Sequence, residues 1–127
     1  ELIRQVARLP RATLHTALSK LVDSELMFVH GAPPQATYTF KHALVQEAAY
    51  SSMLRSRRRQ IHARIAAALV DGFPQTVEAQ PEVLAHHYAG AGESRRAVSY
   101  LIRASQRSLD HAAAIEADAA EADEEGD

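Results

Sequence analysis

No cysteine occurs in the 127 residues. A disulfide frame, a thiolate zinc site and a cysteine nucleophile are thereby excluded, and the cytosol is the expected compartment. Tryptophan is absent, and phenylalanine and tyrosine number only 3 and 4. No aromatic residues interleave the arginines, so a stacking platform for single-stranded nucleic acid is unsupported. No apolar run approaches the roughly 20 residues a membrane helix needs, and no leader peptide is visible. No G-x-x-x-x-G-K-[ST], G-x-S-x-G or H-E-x-x-H motif occurs, so no self-sufficient active site is expected. The first residue is Glu1, and Leu2-Ile3 already read as part of a helix face; a fragment of something longer is expected.

Basic residues are missing from the last sixteen positions. All 14 Lys and Arg lie at or before Arg107. Residues 1–111 hold 9 acids against those 14 bases, a net +5, whereas the last sixteen hold 7 acids, a net −7. A weakly basic folded part followed by an acidic tail is the reading.

What is present favours helix. Hydrophobic residues make up 46 % of the chain, enough to form a core, and Ala, Leu and Arg are good helix formers. Leu2, Ile3 and Val6 share one helical face. Pro10 separates that segment from residues 11–23, where Leu14, Ala17, Leu18, Leu21 and Val22 recur at steps of three and four. Residues 26–30, LMFVH, and 36–40, ATYTF, read as two strands around Gly31-Ala32-Pro33-Pro34, hence a hairpin.

Helices at 42–54, 57–71, 81–88 and 94–110 follow, broken by Gly72-Phe73-Pro74 and Gly90-Ala91-Gly92. The expected fold is mainly α. A winged helix over 1–54, its hairpin at about 26–40, is followed by antiparallel helix pairs of an α-solenoid type over 55–110. Residues 111–127 are expected to pass from frayed helix into disorder.

His42 stands where strand becomes helix in TFKHALVQEAAY. A histidine at a helix N-terminus beside free N–H groups can meet a phosphate; it can equally cap the helix or pack on the hairpin. Arg55, Arg57, Arg58, Arg59 and Arg64 form a basic cluster that suits nucleic acid or another acidic partner, or simply a solvated face. Helix 11–23, the DNA-reading position of a winged helix, offers only Arg11 and Lys20 as bases and reads as a packing helix. His86 and His87 diverge by about 100° on a helix, and no third histidine sits at ligand spacing. His15, His30, His62 and His111 are scattered, so no metal site is expected.

Residues 21–69, LVDSELMFVHGAPPQATYTFKHALVQEAAYSSMLRSRRRQIHARIAAAL, resemble the segment that follows the ATPase core in bacterial signalling ATPases of the STAND class, relatives of the AP-ATPases and NB-ARC proteins. Residues 81–105, PEVLAHHYAGAGESRRAVSYLIRAS, resemble the first helices of the tetratricopeptide-like array of such proteins. Many of them carry a class III adenylate/guanylate cyclase domain ahead of the ATPase.

The resemblance implies a non-catalytic regulatory fragment, with no cofactor of its own and with ATP/ADP bound in the parent. It implies an upstream ATPase domain in cis, a protein partner on the helical array and no membrane. In the family a Met-His-Asp motif at this junction sends its histidine to the ADP β-phosphate. The matching positions are Lys41, His42 and Ala43. The histidine is kept, while the aspartate's supporting contact is lost. After Leu109 the sequence departs from the array pattern. The alternative is a DNA-binding winged-helix transcription regulator.

Overall fold

A computed structural model describes residues 1–126. In order along the chain are α1 (Leu2–Ala7), α2 (Arg11–Asp23), β1 (Met27–His30), β2 (Thr37–Phe40), α3 (Ala43–Ser52), α4 (Arg55–Gly72), α5 (Pro74–Ala79), α6 (Pro81–Gly90) and α7 (Ser94–Glu125). The chain is mainly α, with one β-hairpin.

The local chemistry explains most boundaries. Arg8 turns into the left-handed region at φ 55, ending α1, and Pro10 at φ −55 stands at the head of α2. Leu14, Leu18 and Val22 form the half-buried stripe of α2 at steps of four. The hairpin is antiparallel, with Met27 opposite Phe40 and His30 opposite Thr37. Gly31, at φ 79, starts its connecting loop, a conformation glycine adopts freely. Lys41 N–H donates to Leu26 O (3.0 Å), and the Lys41 ammonium lies 4.9 Å from the Phe28 ring centre. Both contacts carry the hairpin closure up to the start of α3.

The second half holds the core. Ala66 and Leu69 of α4, Leu84 and Tyr88 of α6, and Ala97 of α7 are buried together. Leu2, Phe73, Val77 and Tyr100 pack around them, so α1 closes one side of the core although it lies at the far end of the sequence. The Tyr88 and Tyr100 rings stack at 5.5 Å, locking α6 to α7. Pro74 and Pro81 occupy first-turn positions of α5 and α6, where the missing N–H costs nothing. Gly92 (φ 82) lies in the short turn that folds α7 back on α6.

Three details depart from the sequence reading. The short helix α5 fills what reads as a break at Gly72-Phe73-Pro74; Pro74 starts a helix there rather than only ending one. Over residues 57–71 the steps of three and four among Ile61, Ile65, Ala68 and Leu69 predict the inward stripe. The buried residues of α4 are instead His62, Ala66 and Leu69, and Ile61 and Ile65 are only half-buried. Helix α7 runs without a break through Glu125, where the sequence pattern points to fraying and disorder from residue 111. Alanine and glutamate carry it, and no glycine or proline intervenes before Gly126.

Candidate functional site

His42 is the N-cap of α3, in extended conformation at φ −132 and ψ 133, and its side chain makes no capping hydrogen bond. Its carbonyl accepts from Val45 N–H (3.1 Å) and Gln46 N–H (3.3 Å). The backbone at His42 is therefore held on both sides, by the strand before it and the first helical turn after it, while the imidazole stays exposed. Leu44, two residues on, is 78 % exposed.

The arginine cluster does not form one face. Arg55, Arg58 and Arg59 line a concavity with Tyr50 and the C-terminal end of α6. Arg57 and Arg64 line a different one against α1. Arg58 is half-buried, with its guanidinium 5.0 Å from the Tyr50 ring centre. Its Nε is buried without a hydrogen-bond partner among the described residues. A charge turned inward in this way is poorly placed to follow a phosphate backbone.

The fold makes a different cluster, which spacing along the chain conceals. His62 comes from the inward stripe of α4, and His86 and His87 come from the middle of α6. His62 is buried, His87 half-buried and His86 exposed. The Nδ1 atoms of His62 and His87 lie 2.9 Å apart, so one imidazole donates its N–H and the other accepts. The Tyr50 hydroxyl lies 3.0 Å from His62 Nε2, extending the chain of hydrogen bonds back to α3.

The His62 ring centre is 5.5 Å from that of His86 and 5.2 Å from that of His87. One ligand atom from each of the three residues lies within 4.8 Å of the others. Burial, then the neighbouring His62 and His86, push His87 down to about 4. Burial, then His86 and Arg58, push His62 down as well. At neutral pH both are uncharged, with lone pairs available.

Sequence reasoning set His62 aside as scattered. The one available signal is its place four residues before Ala66 and seven before Leu69, a histidine on an apolar stripe. Nothing in the 24-residue separation from His86 indicates that the two would meet; the packing of α4 on α6 brings them together. Among the described residues no helix is long and apolar enough to cross a membrane.

No family model matches the chain, and no solved structure matches it. Among curated proteins it is similar to "Uncharacterized protein R02095" of Rhizobium meliloti (strain 1021), with 29 % identity over 107 residues. That match covers 84 % of this chain and 10 % of the relative, so the chain corresponds to about a tenth of the relative's length.

Proposed function

We propose that this chain is a non-catalytic regulatory module of a larger signalling ATPase, coupling ATP/ADP state to partner binding or cyclase output. The observation that carries this reading is the presentation of His42. Its backbone is fixed by hairpin and helix, while its exposed imidazole is free of a capping bond and sits at the positive end of α3 beside the exposed Leu44. That is the arrangement needed to reach an anionic group on a neighbouring domain. The segment's likeness to the region after a STAND-class ATPase core supplies the identity of that group, the β-phosphate of ADP in the parent.

In this reading the nucleotide-binding domain docks in cis against the hairpin and α3. A closed state with ADP is held in part by His42, and loss of that contact shifts the population towards the open state. Helices α4 to α7 carry the protein partner.

The surface supports a module with neighbours. Its accessible area is 9533 Å², against about 6,700 Å² for a compact monomer of this mass. Leu44, Leu54, Leu101 and Leu109 are among its exposed large apolar residues.

The test is the rate of ADP release from the full-length protein with His42→Ala. Faster release and raised basal output are expected; an unchanged rate removes His42 from the mechanism. Salt-dependent binding of this chain to duplex DNA would instead favour a DNA-binding regulator.

A further inference from the structure

The three histidines between α4 and α6 have the makings of a coordination site. Three imidazole nitrogens suit borderline divalent ions, Zn²⁺ first, with Co²⁺, Ni²⁺ and Cu²⁺ as competitors. Ligand atoms on a tetrahedron around Zn²⁺ stand about 3.3 Å apart at the usual Zn–N lengths. The His62 and His87 Nδ1 atoms are already 2.9 Å apart. An ion that replaces their shared proton needs them to separate by only about 0.4 Å. One ligand nitrogen from each of the three lies within 4.8 Å of the others, so the remaining separations must close by up to about 1.5 Å. The exposed His86 has the rotamer freedom to close them.

The surroundings match what a ligating histidine needs. His62 ligating through Nδ1 keeps its Nε2–H for the Tyr50 oxygen 3.0 Å away. Such an outer partner fixes the tautomer and the ring orientation of a metal ligand. Gly90 leaves room for the same ring: a side chain there would bring its Cβ to 2.6 Å from His62 Cγ. Adjacent histidines on a helix diverge, and this pair converges on one point only because the His62 ring lies near both. No carboxylate belongs to the trio, and Arg58 stands near His62. That environment disfavours hard, oxygen-seeking cations such as Mg²⁺ and Ca²⁺ and leaves nitrogen-seeking ions as the fit.

We propose that His62, His86 and His87 form a binding site for a divalent transition-metal ion, Zn²⁺ above all, that clamps α4 to α6, with Tyr50 holding His62 in place. Three protein ligands would leave a fourth coordination position for water. This site is independent of the role assigned to His42 and stands or falls separately.

The test is titration of the 127-residue chain with ZnCl₂ by calorimetry, with Co²⁺ absorption as a second reading of geometry. The wild-type chain should bind one Zn²⁺ per chain, give a tetrahedral Co²⁺ spectrum that Zn²⁺ abolishes, and gain Tm with rising Zn²⁺. Because His86 is exposed, His86→Ala should keep the fold by circular dichroism. It and His87→Gln should each weaken Zn²⁺ binding at least about tenfold, and Tyr50→Phe by up to about tenfold. His111→Gln, outside the trio, should bind as the wild type does. Zn²⁺ affinity unchanged in both His86→Ala and His87→Gln overturns the site. So does a wild-type chain whose Tm ignores Zn²⁺, or an equal loss in His111→Gln.

Discussion

The His62 ring occupies the space in which a side chain on residue 90 would lie. A Cβ built at Gly90 would stand 2.6 Å from His62 Cγ and 2.7 Å from Nε2. The ring cannot swing away cheaply, since Tyr50 and His87 hold its two nitrogens. Gly90→Ala should therefore cost about 1–3 kcal/mol through overpacking, measured by urea denaturation. Combined with His62→Ala, which vacates the space, its cost should largely vanish. Strict additivity of the two changes would show that the contact does not set the requirement for glycine.

Leu84 is the largest side chain buried completely, at 0 % exposure, where α6 meets the rest of the core. Leu84→Ala should destabilise the chain by about 2–5 kcal/mol, because lost apolar burial adds to an unfilled cavity. Leu109 is 70 % exposed, and Leu109→Ala should change stability by no more than about 0.5 kcal/mol. Equal effects from the two would refute this placement of the core.

With metal removed by a chelator, stability should depend on pH through His87 and, in the same direction, His62. Burial holds His87 at about 4, against an ordinary value of 6.5. Between those values the unfolded chain binds more protons than the folded one, so stability rises as pH increases through that window and levels off above it. Neighbouring groups include Tyr50, Arg58 and His86, and Arg57 and Arg64 line the same concavity as His87. None of these is a carboxylate that would favour the protonated ring. Melting curves from about pH 4 to about pH 8 should show this rise, flattened in His87→Gln. A wild-type Tm that climbs as pH falls through the window would reverse the sign and sink the prediction.

Helix α7 outlasts its packing. Ala104 is half-buried, but every position from Ser105 to Glu124 is exposed. Within that stretch Arg107 reaches back, donating to the Glu78 and Ala79 carbonyls at the end of α5. Removing residues 111–127 keeps Arg107 and should shift Tm by no more than about 3 °C. The far-ultraviolet helical signal should fall by the share of those residues. A collapse of Tm would mean that the acidic turns are anchored to the folded part.

The hairpin and most helices were legible because their signals are local. Gly31 and the two prolines mark the loop, Tyr38 and Phe40 alternate, and leucines recur at helical spacing in α2. The face of α4 was harder to read. Ile61 and His62 are neighbours, and hydrophobicity alone turns the isoleucine inward. The buried partner is the histidine, because α6 offers it Gly90 as a space and His87 as a hydrogen-bond partner. Such complementarity lies on another helix, beyond the reach of periodicity.

The sequence by itself determined the helical class, the hairpin, the absence of cysteine chemistry and the placing of His42 at a strand-to-helix junction. Each of these follows from neighbours within a few residues, where backbone geometry and side-chain spacing suffice. Tertiary structure alone decided that α1 closes the core against α4, that the arginines divide between two concavities, and that His62 meets His86 and His87. These depend on which helix faces which, and that is settled by burying Leu84, Leu69 and Tyr88 together.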